Sequence, residues 1–287
     1  MNHGKTSSGT LIFQKGRSTI SSPFLRVYNN FRNDLKIVER INKRLPTAIK
    51  NMSRKDSLSL REKIRNFRRN DATAFSNFQK ALGEETNRTS YRVKIPFSKK
   101  ASKVIDELIF WFIFETRSVM FIRDMSLVYL VAEYESFLQH TLCVLFELRP
   151  EAMISTHRSF TVEELIKCND VQEVRETIYR REAESVIRED IEEVRKHFKD
   201  RLSVDLAGFT NWKQFSERFY RRNILVHNSG VVNEIYRKKT GFRRKTSRMT
   251  VSQTYLTESI RLFDESARKT AEHFQARFKR VNAVKSS

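Results

Sequence analysis

Seven glycines and four prolines in 287 residues, with no proline after Pro150, leave this chain little with which to turn sharply. A β-architecture needs turn residues every few positions, whereas long helices need few. The apolar residues follow the same logic and recur at intervals of three and four, the period of a helix.

That periodicity divides the chain. Residues 1–22, rich in Ser, Thr, Gly and Lys, read as a disordered basic tail. Phe24, Val27, Tyr28, Phe31, Leu35, Val38 and Ile41 predict an amphipathic helix. It should stop near Leu45-Pro46, because the residue before a proline is steered away from helix. Leu60, Ile64, Phe67, Phe75 and Phe78 predict a second helix, capped at Ser57 and ended at Gly83. Residues 84–97 read as a boundary, with Tyr91–Ile95 alternating as a short extended segment. Residues 102–121 are so apolar that the helix there must be buried on most sides or used in subunit contact. A long helix follows over 126–148 and ends at Arg149-Pro150. Thr161 and Glu164 form a capping box. Residues 171–202 mix both charge signs at helical spacing and read as one mostly exposed stretch. Leu206-Ala207-Gly208 is a break, Asn211-Trp212 opens the next helix, and 254–278 is the last. The expected fold class is all-α: a basic helical N-terminal extension over 23–100 and a helical domain over 101–287. The extension is either a hairpin packed on the bundle or a basic arm ordered by a polyanion.

Charge points to the partner. The formal net charge is +21. Residues 1–103 hold 24 Lys and Arg against 7 Asp and Glu, a net of +17, which leaves +4 for the rest. Arg237 to Arg248 adds seven bases and no acid. Such an excess attracts polyanions, nucleic acid before anionic membrane, and carries no sequence preference. The two cysteines, Cys143 and Cys168, are too few for a disulfide framework, which implies a reducing, cytoplasmic setting. The N-terminus lacks the apolar core of a signal peptide, and no run of 18 uncharged apolar residues exists to cross a membrane. No His, Cys, Asp and Glu set has metal-ligand spacing, and no cofactor is expected.

The densest chemistry lies between Phe219 and Tyr236. On a helix, Asn223 and His227 are four apart and share a face. Arg222 precedes His227 by five, and its long side chain can still swing toward a phosphate held near the imidazole. Phe219, Ile224, Leu225 and Val226 would supply the buried stripe. Asn228-Ser229-Gly230 would end the helix, with Gly230 free to take the left-handed conformation. An imidazole titrates near neutrality and can move a proton to or from a ribose hydroxyl, and a guanidinium presents a fixed fork to phosphate oxygens. The plainer alternative is a solvated helix face carrying a satisfied histidine.

Arg222-Asn223-Ile224-Leu225-Val226-His227-Asn228, followed by Gly230, Val232-Asn233-Glu234 and Tyr236, resembles the signature of the HEPN superfamily. The resemblance covers roughly residues 117–275. It implies a HEPN-like helical bundle that forms a homodimer, with two Arg-x4-His motifs facing each other across one cleft. In the active branches it implies metal-independent endoribonuclease activity, often in toxins or anti-phage defence, held in check by a neutralising or activating protein partner. Carried over by position, Arg222 would stabilise the scissile phosphate, His227 would be the acid or base, and Asn223 would orient them. Arg218, Arg221, Arg237, Lys238, Lys239, Arg243, Arg244 and Lys245 are the candidate RNA contacts around them. The alternative is a non-catalytic module of the same kind that binds RNA or a partner without cutting. In either case affinity for RNA should fall by orders of magnitude between about 50 and 200 mM salt, measured by fluorescence anisotropy. A flat response would remove nucleic acid as the reason for the charge.

Overall fold

A computed structural model of the chain describes residues 22–77, 99–153, 161, 163, 168–244 and 248–285. These residues form an all-α fold, and the β-pairing among them is an isolated antiparallel bridge between Val231 and Arg248. In chain order the helices are α1 (Pro23–Asn70), α2 (Lys99–Leu148), α3 (Val171–Ile187), α4 (Ile191–Leu202), α5 (Trp212–Asn228), α6 (Glu234–Thr240) and α7 (Gln253–Lys285). Short 3-10 turns follow α2 at Pro150–Ala152 and precede α5 at Leu206–Gly208. No helix among the described residues is long and apolar enough to cross a membrane.

The core is built around Tyr134 on α2, which is fully buried. Its ring packs edge-on against Phe31 of α1, Phe215 and Phe219 of α5, and Phe263 of α7, at centroid distances of 5.0–6.2 Å. Edge-to-face packing suits the aromatic quadrupole and adds to the burial of the rings themselves. The phenol hydroxyl is 2.8 Å from Ser266 Oγ, so the polar end is satisfied inside the core. Burial holds the Tyr134 phenol well above its ordinary range, and it remains neutral.

α1 runs antiparallel to α7. Phe24 meets Phe274 and Phe278 at one end, and Asn42 Nδ2 reaches Thr257 Oγ1 (3.4 Å) toward the other. Between them Tyr28 donates to Asp264 Oδ1 (2.9 Å), and burial together with that carboxylate pushes its phenol up to about 12. Phe24, Tyr28, Phe31, Leu35 and Val38 all belong to the main core. The first half of the basic N-terminal segment is therefore part of the bundle. The second half of α1 lies along the first half of α2, with Phe67 and Ile105 in a separate small cluster and Lys63 paired to Glu107 (2.6 Å).

Three expectations are corrected. α1 does not stop at Pro46, nor does a new helix begin at Ser57; one helix passes through both positions. An internal proline deletes one backbone donor and costs about 3 kcal/mol, but buried Val38, Asn42 and Ile49 hold both flanks against the bundle. The two helices expected over 102–148 are one, because nothing between Phe121 and Ser126 breaks the period. The single stretch expected over 171–202 is two helices, since Asp190 turns out of α3 and caps α4 by accepting from the Glu192 amide (3.0 Å). The tail before residue 22, the boundary and extended segment over 84–97, the helix end at Gly83, and most of the capping box at Thr161–Glu164 lie outside the described residues.

One half-buried histidine makes stability depend on pH. His197 on α4 has an Nε2 that is buried without a partner among the described residues. Burial, then Arg201, pulls its pKa below the ordinary histidine value. The folded chain thus resists a proton that the unfolded chain accepts as pH falls through about 6.5. Stability present above that pH is lost below it. The denaturant midpoint should drop between pH 7.5 and 5.5, and His197→Gln should flatten that drop. An equal drop in the variant would assign the effect elsewhere.

Candidate functional site

Helix α5 is placed by its apolar stripe and by its first residue. Asn211 caps it, accepting from the Gln214 amide (3.2 Å). Trp212 donates from its indole to Glu192 Oε1 (2.8 Å) and stacks on Phe215 at 5.4 Å. Phe215, Phe219 and Ile224 are buried, while Leu225 is half-buried. Val226, expected in that stripe, is exposed, because its position turns past the edge of the core.

The far end of α5 closes as a left-handed stop, with one change from expectation. Ser229 takes the first left-handed position (φ 50°) and Gly230 the second (φ 78°). The Ser229 amide bonds back to the Ile224 carbonyl across a six-to-one span, and the Gly230 amide reaches the same carbonyl (2.8 Å). A Cβ at Gly230 would lie 2.7 Å from the Met249 carbonyl oxygen, so both conformation and space require glycine. The Gly230 carbonyl in turn accepts from the Met249 amide (2.8 Å), and Asn228 donates to the Val231 carbonyl (2.7 Å). The basic excursion between Arg237 and Arg248 therefore leaves and rejoins the chain at the end of α5.

The candidate RNA contacts separate into two groups. Arg218 is only 4% exposed. It bonds to Ser259 Oγ (3.2 Å), the Gln214 carbonyl (2.8 Å) and Glu217 (3.3 Å), and its guanidinium lies 4.2 Å from the centre of the Tyr255 ring. Arg221 is nearly as enclosed. It is paired to Glu217 (2.8 Å) and lies 4.0 Å from the centre of the same ring. Both arginines are engaged inside the protein, paired with Glu217 and packed on Tyr255. Lys239 is bound over Tyr220 and paired with Asp190 (3.5 Å), and Arg237 holds the loop carbonyls of Phe242 and Arg244. Lys238, Arg243 and Arg244 are exposed, and Lys245 lies outside the described residues.

Glu217 joins these parts. Its carboxylate accepts from Arg218 and Arg221 of its own helix, from the Tyr236 hydroxyl of α6 (2.5 Å) and from the Tyr255 hydroxyl of α7 (2.6 Å). Burial, then this carboxylate, holds both tyrosines well above their ordinary range, so they stay protonated as donors. No charge run or periodicity marked Glu217 in the sequence; it reads there as one more acid on a charged helix.

Arg222 and Asn223 line a cleft of about 670 Å³ between α5, α2 and the turn that joins α3 to α4. Arg222 is ion-paired with Glu135 of α2. Burial raises the Glu135 carboxyl above its ordinary pKa, and Arg222 draws it partly back. Glu184, Glu189 and Asp190 also line the cleft, against Arg188 and Arg222, so its wall is net acidic. His227 lies outside it, about 7 Å further along the α5 axis. Its side chain is exposed, and among the described residues neither ring nitrogen has a hydrogen-bond partner. Val226, Val231 and Ile235, close to it in the chain, are exposed as well. Among the described residues no three His, Cys, Asp or Glu side chains converge as metal ligands. Cys143 and Cys168 are half-buried.

No family model, curated protein or solved structure matches this chain.

The weight on Glu217 is testable. Glu217→Gln keeps the shape but leaves Arg218 and Arg221 enclosed without their main counter-charge. Unpairing a buried ion pair in this way costs about 3–5 kcal/mol. Urea denaturation should show a loss of that size; a change under 1 kcal/mol would mean that solvent or Glu258 already compensates the arginines.

Proposed function

We propose that the protein is a metal-independent endoribonuclease of the HEPN type, working as a homodimer with the motif ends of two chains apposed. The observation that carries the proposal is the state of His227. Its imidazole is exposed and, among the described residues, unpartnered at the end of α5, five residues after an arginine that lines the neighbouring cleft. The basic excursion is hydrogen-bonded onto the same helix end. A solvent-facing imidazole beside a source of positive charge is what proton transfer on a phosphodiester needs.

In this reading the 2′-oxygen of RNA attacks the adjacent phosphorus as the P–O5′ bond breaks. One imidazole takes the 2′-hydroxyl proton, and the imidazole of the second chain returns a proton to the leaving 5′-oxygen. Arg222 steadies the charge that builds on the phosphoryl oxygens. The products are a 2′,3′-cyclic phosphate and a 5′-hydroxyl. Exposed Val226, Val231 and Ile235 offer the apolar contact on which two such ends would meet. Lys238, Arg243 and Arg244 would hold the RNA backbone. An enzyme of this class acts in the cytoplasm as a toxin or anti-phage effector and needs a protein partner to restrain or trigger it.

A second reading has an observation of its own. The ion pair between Arg222 and Glu135, set in an acid-lined cleft, is what a structural arginine makes. In that case the chain binds RNA or a protein partner without cutting.

Purified protein incubated with structured RNA in EDTA separates the two. Under the first reading the wild type cuts and leaves cyclic phosphate ends. His227→Ala loses about 10²–10⁴-fold in rate, the usual worth of a positioned acid or base. Arg222→Ala also loses cutting. Under the second reading none of the three cuts, and Arg222→Ala lowers the melting temperature while His227→Ala does not. A His227→Ala protein that still cuts at the wild-type rate sinks the catalytic assignment.

A further inference from the structure

The first half of α2 carries large apolar side chains on its open side. Phe110 is 71% exposed, Phe114 42%, Phe121 64% and Met125 48%. Phe110 and Phe114 stack on each other at 6.4 Å. The opposite side of the same helix is the one that α1 covers, through Phe67 against Ile105. In helical projection Phe110, Phe114, Arg117, Phe121 and Met125 fall within a sector of about 80°, a stripe roughly 22 Å long. A contiguous aromatic seam of this kind, left open along a rigid helix, marks an interaction surface.

The spacing of the seam identifies the occupant. From Phe110 the steps are four, three and four, to Phe114, Arg117 and Phe121. The series is the same from either end, with its centre between Glu115 and Thr116. Laid antiparallel on a copy of itself, the run from Phe110 to Phe121 matches at every layer, and Met125 falls opposite Asp106. Phe110 faces Phe121 of the second copy, Phe114 faces Arg117, and the two-fold axis repeats both pairs. Arg117 is exposed and has no partner among the described residues. In this register its guanidinium lies on an aromatic face, the preferred seat for an arginine in an apolar seam. An antiparallel two-fold pair of this kind is isologous and closes on itself.

We propose that α2 pairs with α2 of a second copy of this chain, antiparallel and centred between Glu115 and Thr116. The pairing does not depend on the ribonuclease reading. It uses a different surface from the motif end of α5, and the helical rise sets the two Glu135 positions about 60 Å apart along the pair. A chain with both interfaces therefore builds assemblies larger than a dimer. A chain with only this one keeps its two clefts apart, each with the start of the partner's α2 nearby: residue 99 of the second copy falls opposite Ala132 on the cleft wall.

Sedimentation of the full chain tests the surface, and disulfide trapping tests the register. Phe121→Glu, at an exposed position, should leave the melting temperature unchanged and halve the assembly mass. An unchanged mass overturns the proposal, as does a wild type that is monomeric at tens of micromolar. Ile235→Glu probes the motif end separately: a loss of mass there, without one in Phe121→Glu, supports the motif dimer and removes this pairing. For register, a Phe110→Cys chain mixed with a Phe121→Cys chain should give a mixed disulfide under mild oxidation. Neither alone should exceed the wild-type background from Cys143 and Cys168, because each position lies about 16 Å from its own copy, beyond disulfide reach. Self-crosslinking of Phe110→Cys overturns the register.

Discussion

One carboxylate organises the packing around the motif helix. Glu217 sits on α5 and receives two arginines of that helix, a tyrosine of α6 and a tyrosine of α7. Removing a charge from water is costly, and the structure offsets that cost by giving the carboxylate four donors. The same bonds fix where the basic excursion begins, because Tyr236 opens toward it, and where α7 lies, because Tyr255 is carried on its first turn. Arg218 and Arg221 face inward for the same reason. An arginine beside an enclosed carboxylate gains more by pairing with it than by waiting in solvent for a phosphate.

The residues that carry the family resemblance divide in an instructive way. Those after His227 have mechanical work. Asn228 ties down the Val231 carbonyl, Gly230 makes the left-handed turn against Met249, Asn233 caps α6 by accepting from the Tyr236 amide, and Tyr236 closes on Glu217. A run of this pattern therefore identifies a way of folding a helix end back on itself, and that geometry leaves His227 outside, exposed. Arg222 and Asn223 face the cleft instead. The chemistry proposed for the chain rests on three side chains, whereas most of the recognisable pattern belongs to their support.

The two longest helices serve unequal ends. Their halves near Tyr134 share one aromatic core with α5 and α7, and that core holds the motif helix at a fixed angle. Their other halves run on together, joined by the small cluster at Phe67 and Ile105 and by the Lys63–Glu107 pair. Among the described residues the open side of this two-helix extension carries an exposed aromatic seam. Self-pairing would cover it, using the face of α2 that continues toward Glu135.

Much of this architecture is legible in the order of residues. The scarcity of glycine and proline, with apolar residues at three and four, requires helices. Asn211 and Ser229-Gly230 bound the motif helix because caps and left-handed stops are local in origin. Pro46 shows where local rules give way: a proline disfavours helix by a fixed amount, and buried neighbours on both sides outweigh it. The inward turn of Arg218 and Arg221, the pairing of Arg222 with Glu135, and the position of Asp190 between two helices were not legible. Each depends on a partner far away in the chain, and the sign and spacing of charges on one helix do not say which carboxylate another helix will bring. Sequence alone determined an all-α chain with a basic N-terminal third and a short segment that sets an arginine, an amide and an imidazole close together. Only the tertiary structure decided which of its cations face solvent, because burial of a charge is settled by the whole set of groups that surround it.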